Sequence, residues 1–499
     1  FVLLPVILIA LQSVIIHLHH RIRKLPPTLF PNLLFVGHIY LLKKPIHKSL
    51  AAAARRHGPV LFLRIGSRPV LLVSSPGAAE ECLGSRNDVV FANRPEFLNG
   101  RYFGYNYTSL SWSSYGEHWR NLRRISSSEL LSNHRLASLS HVRADEALGL
   151  VRKLAEESRE NDVVTVKSPL FEFMFNVLTR MITGRRYYGK DSEKSAEAKL
   201  LENIWEETSK VAFETNVVDF LPLMRWFAGF RNVEKKLKSI QRKRDRFMQK
   251  VIDDQRREMM TAADVPRKKT IVEVLLDLQA AEPEYYTDET IKNLLLVLLQ
   301  GGSSTSTIAF EWAFSLLLSN PETLRKAQSE IDEVVGTGRL ISESDLQRLP
   351  YLHHVILETL RLRPPAPILV PHRSSAECTV SGFRIPAGTI LLVNVWEIQH
   401  SPEIWSDPES FRPERFEGSD AKKVLGMRFF PFGWGRRACP GENLSLLNIG
   451  LGLGALIQCF DWEKVGEIDM TEEAGTTTPK AHPLMARCCP RPFISTFIS

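Results

Sequence analysis

The sequence predicts one large domain, mainly α-helical with small β-sheets at one side, behind an apolar N-terminal segment. Three observations carry that prediction. Between residues 136 and 320 the apolar residues recur at helical spacing in long runs. Two short β-rich runs stand near residue 60, and beyond residue 365 brief strands alternate with proline and glycine. The 499 residues are 44% hydrophobic and 24% charged, enough for a large core and unlike a disordered chain. Length alone would accommodate about three domains, but the motifs described below are spread over most of the chain, which argues for one.

The elements follow in order. Phe1 to Leu18 is almost wholly apolar, interrupted by Pro5, Gln12, Ser13 and His17, and is near the minimum for a bilayer-spanning helix. His19-His20-Arg21-Ile22-Arg23-Lys24 comes next, and cations on that flank predict that the rest of the chain stays cytoplasmic. A cleaved signal peptide would carry its charge before the apolar run and small residues at its cleavage site. Here the charges follow and no A-x-A appears, so residues 1–18 are expected to be an uncleaved membrane anchor. The chain opens on Phe1 and not Met, which leaves room for a longer one. Leu25-Pro26-Pro27-Thr28-Leu29-Phe30-Pro31 precludes a continuous helix, making 19–38 a basic, proline-rich hinge before a main domain over 39–499.

In that domain Val60–Ile65 and Pro69–Ser74 flank Gly66-Ser67-Arg68, a hairpin signal. Helices are expected over Leu136–Glu156, Leu170–Thr183, Ala196–Phe213 and Val233–Met259. Another starts at Thr287-Asp288-Glu289-Thr290 and stops near Asn320-Pro321, and one more covers Glu442–Ile457. Ala262–Lys269 is a polar loop, Thr379-Val380 and Thr389–Val393 are strands, and no repeat of solenoid length is present.

A net charge of +8 is mild for this length, and the basic runs are not interleaved with aromatics, which excludes a nucleic-acid-binding design. The six cysteines are sparse and form no C-x-x-C pair, so neither a disulfide framework nor a zinc site is indicated and a reducing compartment fits.

The most informative stretch is Phe432-Gly433-Trp434-Gly435-Arg436-Arg437-Ala438-Cys439-Pro440-Gly441, with the skeleton F-x-x-G-x-x-x-C-x-G. It sets one cysteine in a glycine-bounded loop at the start of a helix, where backbone N–H groups and the helix N-terminus stabilise a thiolate able to meet a metal. Arg437, two residues earlier, is suited to a carboxylate. A haem offers both an iron for the sulfur and propionates for the arginine. Glu358 and Arg361 share a face of a helix that ends at Arg363-Pro364-Pro365. Trp119 and Arg123, at i and i+4, can reach one propionate together. Gly301-Gly302-Ser303-Ser304-Thr305-Ser306 interrupts a long helix with two glycines, each about 1 kcal/mol worse than alanine there; glycines also bring backbone close to a ligand. Gly450-Leu451-Gly452-Leu453-Gly454 follows no strand, so it is a close-packing run and not a nucleotide loop.

These motifs resemble, in order and spacing, those of the cytochrome P-450 family. Ser74–Cys82, Phe91-Ala92-Asn93-Arg94-Pro95, Gly116–Arg124, Ile457–Glu463 and Met470–Gly475 resemble plant microsomal members, in particular the group containing isoflavone 2′- and 3′-hydroxylases, over roughly residues 25–490. The resemblance implies the cytochrome P-450 fold and haem b, with Cys439 as iron ligand in a loop shaped by Phe432, Gly435 and Gly441. It implies that Arg437, Trp119, Arg123 and His372 meet the propionates, and that Glu358, Arg361 and Arg415 form a buried network holding the cysteine loop. Thr305 is the alcohol of the oxygen-activating helix, and Ser304 stands where the family has an acid that helps relay protons. Serine can support a water chain but supplies no carboxyl group. The substrate pocket carried over comprises Tyr102, Phe103, Tyr105, Val297, Gly301, Ala366, Ile368, Val370 and Thr477; each aromatic among them is also a natural packing residue.

The implied function is a monooxygenase hydroxylating a plant specialised metabolite, a flavonoid, isoflavonoid or related phenylpropanoid. Electrons would come from NADPH through NADPH–cytochrome P-450 reductase, at the endoplasmic reticulum membrane with the catalytic domain on the cytosolic side. The alternatives are oxidative ring closure to a methylenedioxy bridge on a lignan or similar phenolic, terpenoid hydroxylation, and a haem protein without catalysis.

Overall fold

The computed structural model describes residues 3–495 except 34, 85, 190–195, 213–216, 222–223, 225–227, 262–267, 419–424 and 474. The start of the apolar segment, the end of the expected helix at Phe213 and most of the polar loop at 262–269 lie outside the described residues. Helices used below are α1 (Leu3–Ile22), α2 (Ile46–His57), α3 (Leu98–Tyr102), α4 (Glu117–Ile125), α5 (Ser140–Glu160), α6 (Lys167–Thr183), α7 (Ala196–Ala212), α8 (Ala228–Thr261), α9 (Ile271–Ala281), α10 (Asp288–Ser319), α11 (Pro321–Val334), α12 (Pro350–Leu362), α13 (Val395–His400) and α14 (Glu442–Cys459).

Helix α10 starts as its sequence dictates. The Thr287 side chain accepts the Thr290 N–H, with Asp288 and Glu289 in the first turn favouring the positive end of the helix dipole. It stops where Pro321 opens α11. The expected helix from Leu136 is instead two. Ser132 caps a short helix over Asn133–Ser138, and Leu139 breaks it at φ −103° and ψ 13° before α5 begins. The Ser138 hydroxyl donates to the Arg135 carbonyl at 2.8 Å, the local side-chain bond by which serine competes with helix continuation.

The strands are β1 (Val60–Ile65), β2 (Arg68–Val73), β3 (Val164–Thr165), β4 (His372–Arg373), β5 (Cys378–Val380), β6 (Phe383–Ile385), β7 (Ile390–Val393), β8 (Phe460–Lys464) and β9 (Met485–Pro490). They form a sheet of order β1-β2-β7-β4, a sheet β3-β9-β8 and a hairpin β5-β6. In β1–β2, Val60 faces Val73 and Ile65 faces Arg68 across a Gly66-Ser67 turn, while β7 runs parallel to β2.

Helix α10 crosses the main core with Phe310, Trp312 and Phe314 fully buried, and α6 and α14 pack on it. The glycine run of α14 is what allows this. A Cβ on Gly452 would stand 2.5 Å from the Phe310 ring, and one on Gly454 2.5 Å from Ile341.

At the N-terminus, α1 continues past Leu18 through His19, His20 and Arg21, which take its last turn. Among the described residues no helix is long and apolar enough to cross a membrane. The proline-rich segment lies against β1: Phe62 N–H donates to the Pro27 carbonyl at 2.8 Å, and the buried His38 ring links Leu29 O at 2.9 Å to Arg64 N at 3.0 Å.

Candidate active site

The cysteine loop is shaped by backbone that few residues can adopt. Gly433 and Gly435 have φ of +77° and +69°. A Cβ on Gly435 would also lie 2.0 Å from the Leu83 carbonyl oxygen. Asp88 holds the outer edge, accepting from Arg436 N at 3.3 Å and Arg436 Nη1 at 2.8 Å. Cys439 N–H donates to the Phe432 carbonyl at 2.8 Å, and Gly441 caps α14. Phe432 packs on the main core. Cys439 sits deep in the fold, where burial pushes its thiol pKa up, while Gly441 N–H and Arg123 act the other way. Its surface is nevertheless accessible, so it faces an internal cleft.

Cations gather beside the loop. Arg437 donates to the carbonyls of Ala92 and Ser113 and, at 3.2 Å, of Leu110, with its guanidinium 4.3 Å from the Trp119 ring. Arg123 Nη1 donates to Ala438 O at 2.6 Å. Arg94 is buried and donates to Ser111, Val370 and Pro371 carbonyls. Burial, then repulsion from Arg94 and Arg123, pushes Arg437 down to about 8. His372 is buried with Nδ1 2.9 Å from the Phe91 carbonyl, and burial together with Arg94 holds its pKa well below the usual histidine value, so it is neutral. Among the described residues no carboxylate pairs with Arg94, Arg123 or Arg437. Three desolvated guanidiniums served only by carbonyls form a cradle for an anionic group. Trp119 N–H donates to Leu110 O at 3.1 Å, the carbonyl that Arg437 Nη1 also meets. Arg94 lay in the run Phe91–Pro95 without being singled out, because a lone arginine before proline carries no chemical signal.

Below the loop, Glu358 and Arg361 are wholly buried and joined by two bonds of 2.7 and 2.9 Å, and Arg415 Nε reaches Glu358 at 3.1 Å. Arg361 also donates to Gln399, Pro408 and Ser410 carbonyls. The triad pins residues 399–415 to α12. From there Phe416 packs on Phe429 at 5.2 Å between centroids, leading into the cysteine loop.

On α10, a Cβ on Gly301 would meet nothing within 4 Å, so the helix opens on free space there. Thr305 Oγ1 donates to Gly301 O at 2.6 Å. Ser306 Oγ lies 3.1 Å from Ser445 Oγ, tying this turn to α14 just after Cys439. Ser304 is half-buried, and its hydroxyl makes no hydrogen bond among the described residues.

The carried-over pocket residues divide. Val297, Ala366 and Ile368 are half-buried, Val370 is exposed, and Thr477 is buried beside Thr478, whose hydroxyl donates to Pro364 O. The aromatics turn toward α8. Tyr105 Oη donates to Asp245 at 2.9 Å, Phe103 is buried under Arg244, and Tyr102 packs against a cluster with Leu237 and Ile240.

An accessible thiol at a helix start, beside an arginine cradle and a glycine-opened helix, is a donor set that fits a haem. The family model described as Cytochrome P450 matches residues 26–485. The chain belongs to the cytochrome P450 family. It is 45% identical to Cytochrome P450 81Q32 of Catharanthus roseus, covering 100% of this chain and 98% of that one. It is 44% identical to an isoflavone 2′-hydroxylase of Glycyrrhiza echinata (95% and 94%) and 42% identical to the (+)-piperitol/(+)-sesamin synthase CYP81Q2 of Sesamum radiatum (94% and 91%). A solved zebra fish cytochrome P450 with progesterone superimposes with a TM-score of 0.76 at 24% identity, covering 89% of this chain and 99% of that one, so the fold is the cytochrome P450 fold. The protein is therefore a cytochrome P450 monooxygenase, with haem iron as cofactor, a redox partner and a small organic substrate.

Proposed function

We propose that this P450 hydroxylates a flavonoid, isoflavonoid or related phenylpropanoid. The observation that carries the haem assignment is the accessible thiol of Cys439 at the start of α14, beside the Arg94, Arg123 and Arg437 cluster that no carboxylate among the described residues pairs with. The substrate class is supported by the isoflavone 2′-hydroxylase among its relatives. Thiolate-ligated haem, when bound, supplies the activation of dioxygen and the insertion of one oxygen atom into the substrate.

The chain's own residues do the rest. Cys439 supplies the sulfur ligand, and Gly441 N–H and the start of α14 stabilise its negative charge. Arg437 and Arg123 take the propionates, with neutral His372 and the Trp119 ring closing the cradle. Glu358, Arg361 and Arg415 hold the loop rigid from below. Gly301 lets reactants approach the α10 backbone, and the hydroxyls of Thr305 and Ser304 hold the water chain that brings protons inward. With serine at 304 that chain has no carboxyl group of its own there, and it depends on water.

Electrons are proposed to come from NADPH through NADPH–cytochrome P450 reductase. The site of action is proposed to be the endoplasmic reticulum membrane, with the catalytic domain cytosolic. Leu11, Val14, Ile15, Leu18 and Ile22 are exposed at helical spacing along α1, with Phe30 and Phe35 exposed beyond it, and this supports membrane attachment. A second reading, closure of a methylenedioxy ring, is supported by the sesamin-synthase relative.

The test is mass spectrometry of products from microsomes holding the protein and a plant reductase, given NADPH, oxygen and a panel of flavonoids, isoflavonoids, lignans and terpenoids. Gain of one oxygen on a flavonoid or isoflavonoid is the expected result. Loss of two hydrogens establishes ring closure. Oxidation of terpenoids alone, or NADPH-supported reduction with no product from any member, overturns the proposal.

A further inference from the structure

Arg244, on α8, is 2% exposed. Burial pulls its pKa down to about 10, still far enough above neutrality to keep it charged. Among the described residues no carboxylate pairs with it. Its neighbour Asp245 is already taken, by Tyr105 Oη at 2.9 Å and Lys292 Nζ at 2.7 Å. Arg244 Nη2 donates to Gln300 Oε1 at 3.0 Å and Nη1 to Gln241 Oε1 at 3.3 Å, while Nε has no partner. The guanidinium lies 4.6 Å from the Phe103 ring.

Position gives this lone charge its meaning. Gln300 immediately precedes Gly301, where α10 opens on free space. Phe103 directly follows α3, so Arg244 stands between that segment and Gln300 of α10. A guanidinium carries five N–H donors, and only two are committed here. A buried cation without a counter-charge is strongly unfavourable, whereas an apolar side chain of similar length would fill the same space without that penalty. Such a group is retained where a ligand completes it.

We propose that Arg244 is a specificity-determining residue that donates to an acceptor oxygen of the substrate, a ring ketone or an ionised oxygen on a planar aromatic molecule. The inference rests on the haem-site reading above and deepens it. Phe103, held under the guanidinium, flanks the ring, and Gln300 orients the donor. Ketones and ionised oxygens are strong acceptors and ethers weak ones, so Arg244 favours ketone-bearing flavonoids over furofuran lignans and hydrocarbon-rich terpenoids.

The experiment uses the haem-loaded full chain and matched ligand pairs that differ in one acceptor oxygen: isoflavone against isoflavan, flavone against flavan, a cinnamic acid against its alcohol. Dissociation constants are read from the substrate-induced shift of the haem spectrum and from quenching of tryptophan fluorescence. Before any ligand is added, the carbon-monoxide spectrum reports the thiolate-bound haem, and its absence would sink the haem-site reading, separately from this one. With that spectrum present, the wild-type protein is expected to bind the acceptor member of at least one pair about tenfold more tightly, the scale of one hydrogen bond from a charged donor. Arg244→Gln is expected to bring that ratio within about twofold while leaving the weaker member's affinity unchanged; Arg244→Lys, which keeps the charge, retains part of it. Absence of preference in every pair, which needs no variant to observe, overturns the proposal. So does a preference that survives in Arg244→Gln with its haem spectrum intact.

Discussion

In the proposed function two residues, Cys439 and Ser304, carry the sharpest chemistry. Cys439 is fixed by the Phe432 carbonyl and by loop glycines whose backbone conformations favour glycine. Cys439→Ser is expected to keep the helical content, because the hydroxyl fits the same space, and to lose the thiolate signature of the reduced carbon-monoxide complex together with all turnover. Retention of that signature would remove Cys439 as the ligand. Ser304 lies beside Thr305 on the turn that opens at Gly301, and its hydroxyl is unengaged among the described residues. Ser304→Asp is expected to raise product formed per NADPH consumed several-fold, by returning a carboxyl group to the proton path. Unchanged coupling would mean that water and Thr305 already suffice.

Among the elements, α12 and the segment after α13 depend on one buried charge triad. Glu358 receives Arg361 and Arg415 and also accepts the Arg412 N–H at 2.9 Å, so its oxygens are fully used. Breaking such a network leaves two buried guanidiniums without their counter-charge. Glu358→Gln is expected to destabilise the fold by about 3–5 kcal/mol, seen as a lower thermal midpoint and haem lost on purification. A stability change under about 1 kcal/mol would mean that the backbone carbonyls around Arg361 carry the segment alone. Elements built from adjacent residues were legible in advance: the β1–β2 hairpin, the start and end of α10, and the cysteine loop. The break at Leu139 was not, since the apolar spacing continues through it and only serine's bond to the backbone decides otherwise.

The whole molecule is closed by contacts between distant segments. Glu472, near the C-terminal end, stands 3.2 Å from His47 and 3.4 Å from Lys48 on α2, and Arg363 after α12 donates to it at 2.6 Å. Burial alone would raise its pKa, but His47, Lys48 and Arg363 outweigh burial and hold it down from the usual 4.5 to about 2. Its folded value lies below its unfolded one. The latch therefore contributes fully above about pH 4.5, and its contribution is lost as the pH falls toward 2. Relative to Glu472→Gln, the wild-type protein is expected to be more stable above that window by on the order of 3 kcal/mol and to lose the advantage on acidification. A difference between the two that does not change with pH would show that the carboxylate's charge is not what closes the latch.

By itself the sequence determined the helical class, the cysteine loop, the glycine-opened turn of α10 and the Glu358–Arg361 pairing, because each is written in residues a few positions apart, where spacing alone sets which side chains meet. Tertiary structure decided the rest. It gathered Arg94, Arg123, Arg437 and His372 from four separate segments into one cradle, turned Tyr105 to Asp245, and left Arg244 charged, buried and without a carboxylate partner among the described residues, next to Gln300 at the opening of α10. The physical reason is that desolvation and charge pairing depend on what surrounds a side chain in space. For these residues much of the surroundings comes from dozens to hundreds of positions away, beyond the reach of any local pattern.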